Sequence, residues 1–185
     1  MEEIYMNKNR ENFIKYSNDL CFHHLLVENE RIRTLICQEL VSDRKIISIK
    51  LKNAQHYGKS YYEKENFILA IDDIGDIYNI ELQSYGLNEE ILVRFELYNA
   101  ELLRQQVKQG EDYTSAHVVR SLIISYGHIL DNAPLYKCHF RIVDDEHHIV
   151  YPFNCAEITI IQLEYINQAI NEMTSFNQLM YLFKK

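Results

Sequence analysis

Glycine and proline are scarce in this sequence, with 5 and 2 of them among 185 residues. Average usage would bring the two together to roughly 12%, so collagen-like and low-complexity classes and long flexible linkers are excluded. No apolar run approaches the roughly 18 residues of a membrane span, and the N-terminal MEEIYMNKNRENF has neither the basic nor the apolar region of a secretion signal. We therefore predict a cytoplasmic protein without a membrane partner.

Basic residues are fewer than acidic ones, and the cysteines show no paired spacing. The 19 Lys plus Arg residues face 27 Asp plus Glu residues, which gives a formal net charge of −8. Nonspecific nucleic-acid binding draws on basic residues that neutralise phosphates, so a coat protein is excluded while a local basic groove stays open. The four cysteines form no CxxC pair and no zinc-ribbon spacing, so free, mostly buried thiols are expected.

The hydrophobic pattern predicts one domain over residues 1–185, with 47% hydrophobic residues to build its core. Apolar spacing of three and four predicts a helical part over about 9–41, with a break near Glu28 and Asn29, and a C-terminal helix over about 165–184. Between them lies a core over about 44–164. Its expected elements are a helix at 88–109 and strands at 47–51, 67–71, 77–82, 118–126, 136–143 and 157–163. Such interleaving predicts an α/β fold with a mixed sheet flanked by helices.

The end of the second hairpin strand carries the residues that indicate chemistry. Glu81 and Gln83 are two residues apart, so on a strand both side chains leave the same face. A carboxylate among apolar residues suits Mg²⁺, which prefers oxygen ligands, and the neighbouring amide suits an attacking water or a phosphate. An E-x-Q on an amphipathic strand is more often only its solvated face, so the pair alone does not decide the function.

An ordered series of motifs extends from this pair over most of the chain. Its members are Asp19-x-x-Phe22, GDIYNIELQ at 75–83, Arg94, Tyr98, GEDY at 110–113, VVRSLIISY, LYKCHFRIV and EITIIQL. The series resembles the PD-(D/E)XK nuclease family, in its transposase-like and recombination-promoting branch. The resemblance implies a restriction-endonuclease-like fold and hydrolysis of DNA with Mg²⁺, or Mn²⁺, held between an Asp and a Glu on adjacent hairpin strands. Metal ions assist such hydrolysis by activating water and neutralising phosphate charge.

Glu81 and Gln83 match the family's Glu and Gln, but the position of the family's Asp is occupied by Phe67. Glu65 is two residues away on the same face, about 7 Å along the strand, and is the candidate for a partial replacement as second metal ligand. Asp72 lies on the opposite face by parity. A site with one carboxylate should bind Mg²⁺ weakly, so we expect DNA cleavage to be weakened or lost.

Several alternatives stay open on the sequence alone. Arg94 is a candidate phosphate contact, or a solvated arginine, or the partner of Glu90 at i−4. The chain is either a nuclease in which Glu65 replaces the missing Asp or a non-catalytic binding or regulatory protein on the same scaffold. DNA, a protein partner and a second copy of itself are the candidate partners. A third class, an unrelated small-molecule binder, would show a deep apolar pocket away from Glu81.

Overall fold

The N-terminal helical part divides where the sequence predicts. In the computed structural model, which describes residues 19–52, 67–83, 89–127, 130 and 133–184, helix α1 covers Asp19–Glu28 and helix α2 covers Glu30–Gln38. Asn29 caps α2, because its Oδ1 accepts a hydrogen bond from the Ile32 N–H at 3.1 Å. The predicted break is confirmed, whereas predicted helical residues 9–18 lie outside the described part.

The described residues form one mixed sheet of six strands. They are β1 (Ile49–Leu51), β2 (Phe67–Asp72), β3 (Ile77–Gln83), β4 (Val119–Ser125), β5 (Lys137–Phe140) and β6 (Ala156–Gln162). Their order across the sheet is β1-β2-β3-β4-β6-β5. The first three pair antiparallel, β3, β4 and β6 run parallel, and β5 is antiparallel at the edge. The predicted α/β class with a mixed sheet is confirmed.

The tight connection between β2 and β3 is held by one side chain. Asp72 Oδ1 accepts hydrogen bonds from the backbone N–H groups of Ile74, Gly75 and Asp76 at 3.0 to 3.1 Å. Gly75 adopts φ +104°, a conformation that residues with a Cβ rarely take. The predicted hairpin therefore forms through the Asp and Gly chemistry of DDIGD.

Helices cover both faces of the sheet. Helix α3 (Glu89–Arg104) packs on one of them, which we call the α3 face, where Phe95 contacts buried Ile123 and Ile160. Helices α1, α2 and α4 (Ser175–Lys184) pack on the other face. Strand β4 is buried on both sides, as its continuous apolar run predicts. No described helix combines the length and the apolarity needed to cross a bilayer.

Helix α3 ends about five residues earlier than its apolar spacing predicts, at Arg104 instead of about 109. The cause is Gln106, whose side-chain amide donates to the carbonyl of His117 at 3.0 Å and accepts from the N–H of the same residue at 2.8 Å. This pair of hydrogen bonds ties the chain to the segment before β4. Gly110 has the expected positive φ of +91°, but it lies in the following turn.

The C-terminal helix, which the sequence predicts from about 165, begins at Ser175 instead. The preceding residues form two short 3₁₀ turns at 163–165 and 170–172. Carbonyl groups in this segment are satisfied by a side chain, since Lys184 Nζ donates to Glu164 and Ile166, each at 3.1 Å. Thr174 then starts the helix by accepting the Asn177 N–H on its hydroxyl.

The cysteines are free, as predicted, but fewer are buried than predicted. Only Cys37 is fully buried, and burial raises the pKa of its thiol. Cys21, Cys138 and Cys155 are partly exposed. Cys138 is accessible because β5 is an edge strand with one neighbour in the described sheet.

Candidate functional site

The β2–β3 hairpin places Phe67 directly opposite Glu81. Their register is continuous from Phe67↔Glu81 to Ile71↔Ile77, without a bulge. The side chain that faces Glu81 across the hairpin is therefore an aromatic ring instead of a carboxylate.

Glu81 is buried on the α3 face with 5% of its surface exposed. Its Oε1 accepts hydrogen bonds from the Arg94 guanidinium on α3 and from the Gln83 amide. Glu81 and Gln83 thus share a face, as their spacing predicts. A buried carboxylate is costly unless it is paired and hydrogen-bonded, and Arg94 provides that pairing here.

Arg94 is held between the sheet and two aromatic rings. Its guanidinium carbon lies 5.8 Å from the ring centroids of both Phe95 and Tyr98, within the range of cation–π attraction. The guanidinium forms its ion pair with Glu81, not with Glu90, so the i−4 alternative is wrong. The side chain is 29% exposed, which also rules out a fully solvated arginine.

Three further polar side chains lie beneath α3, on the same face of the sheet as Glu81. The Ser121 hydroxyl donates to Asn99 Oδ1 at 2.6 Å, and the Asn79 amide lies 3.5 Å from the Ser121 hydroxyl. All three side chains are buried. This group was not predicted from the sequence, although polar Asn79 two residues before Glu81 is the period-two signal that marks the same face. The group ties α3 to β3 and β4.

The described residues around Glu81 do not fit a two-carboxylate metal site. Within the described part of the chain, no three His, Cys, Asp or Glu side chains come together as ligands. Glu81 already neutralises a guanidinium, and Phe67 offers no oxygen. Glu65, the predicted second ligand, lies outside the described residues. A hard divalent ion needs several oxygen ligands, and this arrangement supplies one carboxylate that is engaged elsewhere.

A second charged group lies at the other end of the sheet and on the opposite face. Arg44 pairs with Asp72 and, at 3.1 Å, with Asp76, while Arg120 pairs with Asp76 and, at 3.1 Å, with Glu157. Asp72 is thus separated from Glu81, as its parity predicts. This group joins the α2–β1 connection to the hairpin turn and to the starts of β4 and β6.

A cleft of about 620 Å³ lies beside this charged group, away from Glu81. Its lining combines Arg120, Glu157 and Arg141 with the largely exposed rings of Tyr151 and Phe153. A small-molecule binder was expected to show a deep apolar pocket. The charged and exposed lining of this cleft does not match that expectation.

The chain matches no protein-family model, no curated protein and no solved structure.

Proposed function

We propose that this chain is a restriction-endonuclease-like domain, similar to the transposase-like PD-(D/E)XK nucleases, whose metal-dependent cleavage of DNA is disabled and which acts by binding. The Arg94–Glu81 ion pair carries this proposal. The negative charge of Glu81, which would attract a divalent ion, is already neutralised by Arg94. The electrostatic attraction for the ion is therefore weak.

The hairpin supports the same proposal. Phe67 stands at the register position opposite Glu81, where the resemblance implies the second carboxylate. Its ring lies 6.5 Å from that of Tyr98 on α3, so it belongs to the apolar contact between hairpin and helix. The motif Glu81-x-Gln83 is retained as an internal hydrogen bond that stabilises the folded chain.

The acidic balance of the chain bears on the kind of partner. A net charge of −8 disfavours a broad phosphate-binding surface, and Arg94, the candidate phosphate contact, is engaged by Glu81. Protein contacts are therefore favoured over nucleic-acid contacts as the binding activity in this proposal.

Nicking of supercoiled plasmid with Mn²⁺ tests the proposal. Wild type and the uncharged control Phe67→Asn should leave the plasmid intact. Phe67→Asp combined with Arg94→Ala should nick it, because this variant provides two carboxylates and removes the competing cation, and adding Glu81→Ala should abolish the nicking.

Two results would count against the proposal. If wild type nicks DNA and Glu81→Ala does not, the chain is an active nuclease, and Glu65 becomes the next residue to substitute. If the restored variant folds and is inert, the assignment to a nuclease scaffold loses its main support.

A further inference from the structure

Exposed apolar side chains concentrate between β5 and β6. Their exposed fractions range from 43% to 71%, for Phe140, Ile142, Ile149, Tyr151 and Phe153. Single exposed apolar residues are normal on a protein surface, whereas a cluster marks an interaction site. The cluster is separate from the Glu81 site, so a role for it is independent of the proposed function.

Three of these five side chains lie on a hairpin loop over residues 141–151, which we call the arm and whose two sides meet in one antiparallel bridge between Val143 and Val150. The Tyr151 N–H donates to the Ile142 carbonyl at 3.0 Å, and the Asp144 N–H donates to the Ile149 carbonyl at 2.8 Å. Ile142 therefore lies opposite Tyr151, and Asp144 lies opposite Ile149. Since neighbouring residues of a strand alternate between faces, Ile142, Ile149 and Tyr151 share one face of the arm.

The arm continues an open edge of the sheet. Among the described strands, β5 pairs with β6 alone, so the backbone groups on its outer side have no strand neighbour. Such an edge is a template for pairing with another strand unless a charge guards it. The lysine of β5, Lys137, is held by the Glu39 carboxylate at 2.7 Å.

Charge is distributed along the arm in a self-complementary way. Arg141 stands exposed at its base and has no ion-pair partner in the described part of the chain, and Asp145 and Glu146 are exposed at its tip. Two arms placed side by side in antiparallel orientation bring the base of each beside the tip of the other. A two-fold axis makes both contacts equivalent, as in most homodimers.

We propose that a second copy of this chain binds to this surface, with residues 141–145 of the two arms side by side and antiparallel. The contact combines edge pairing between these segments, contact between the apolar side chains that the two arms present on the same face and two equivalent base-to-tip ion pairs. A second copy is the partner that offers the same open edge and the complementary charge at once.

Sedimentation equilibrium of the full chain over a wide concentration range tests the proposal. Wild type should form a dimer. Ile142→Lys combined with Ile149→Lys should weaken the dimer about tenfold or more, since 1.4 kcal/mol of lost contact suffices, while circular dichroism stays unchanged. The matched control is Val93→Lys with Leu97→Lys, which changes two side chains on α3 that are each 54% exposed and should leave the dimer intact.

A charge exchange tests the antiparallel orientation. Arg141→Glu alone and Asp145→Lys with Glu146→Lys alone should each dimerise poorly, because like charges then meet at both contacts. Mixing the two variants should restore association, since a mixed dimer again places opposite charges at both contacts. This result would exclude nonspecific apolar association.

Three results would overturn the proposal. Wild type that stays monomeric throughout shows that the surface has no second copy as partner. A dimer that survives the arm variants, or is lost in the α3 control, uses another face. Variants that fail to associate when mixed rule out the base-to-tip arrangement.

Discussion

Phe67 and Glu81 lie opposite each other across the β2–β3 hairpin, one as an apolar ring and the other as a buried carboxylate. The carboxylate is stabilised by Arg94, which reaches it from α3. An ion pair of this kind fixes the helix over the sheet. Chemistry at Glu81 would therefore first have to displace a contact on which the packing of α3 depends.

We expect Arg94→Met to destabilise the protein by about 1–3 kcal/mol, because it leaves the Glu81 carboxylate buried without its cation. Adding Glu81→Gln should recover most of this loss, since a neutral amide tolerates the site better than an unpaired charge. Urea denaturation of wild type, both single variants and the double variant measures the coupling between the two side chains. Additive effects would mean that the ion pair contributes nothing to stability.

Metal binding should follow the electrostatics of the same site. Millimolar Mn²⁺ should leave the Tm of wild type unchanged, and it should raise the Tm of the Phe67→Asp and Arg94→Ala double variant. A ligand that binds only the folded state stabilises it, by roughly 3 °C for each kcal/mol in a domain of this size. Differential scanning fluorimetry with and without EDTA measures the shift. A shift in wild type that Glu81→Ala removes would contradict this expectation.

The hairpin that carries the site could be predicted from the sequence, because its two strands and its turn are adjacent in the chain. Two apolar runs on either side of the DDIGD turn predict the hairpin, and in the structure this hairpin places Phe67 opposite Glu81. The same holds for the break at Asn29, where a capping side chain lies next to the residues it caps.

The partner of Arg94 could not be predicted in this way. Glu90 at i−4 is the local choice, and the choice of Glu81 depends on how α3 crosses the sheet. The ends of the helices were missed for a related reason. Gln106 and Lys184 satisfy backbone groups distant in sequence, and helical periodicity gives no sign of such contacts.

Acid should destabilise the protein partly through Asp72. Burial by itself raises the pKa of Asp72, but hydrogen bonds from Arg44 and Tyr78 outweigh it and lower the pKa below its ordinary 3.8. As the pH falls, the Asp72 carboxylate is therefore protonated at a higher pH in the unfolded chain than in the folded chain. The stabilisation is complete above pH 3.8 and is lost as the pH falls through the lower pKa of the folded state.

Asp72→Asn should therefore lower the free energy of unfolding at pH 7, by about 2–3 kcal/mol for weakened bonds to a charged partner. The decline in stability below about pH 4 should also become shallower than in wild type. Urea denaturation at a series of pH values measures both effects. The control is Asp43→Asn on an exposed carboxylate, which should change neither. If stability fell below about pH 4 as steeply in Asp72→Asn as in wild type, other carboxylates would account for the loss of stability in acid.

Two glycines with positive φ should differ in their tolerance of alanine. Gly75 has φ +104°, and a Cβ there would lie 2.6 Å from the His117 ring, whereas Gly110 has φ +91° with no atom within 4 Å of such a Cβ. Gly110→Ala should cost about 1 kcal/mol for the left-handed backbone alone. Gly75→Ala should cost about 1 kcal/mol more, because the ring must move away.

The contribution of the ring can be isolated by removing it. In a His117→Ala background, the cost of Gly75→Ala should fall to that of Gly110→Ala, while the cost of Gly110→Ala itself should stay the same. Urea denaturation gives all of these values. The backbone of His117 is held by two hydrogen bonds to Gln106, so only its side chain can yield. Equal costs for the two alanines in the wild-type background would mean that the exposed ring swings aside freely, and the close approach over Gly75 would then play no part in holding the hairpin turn against β4.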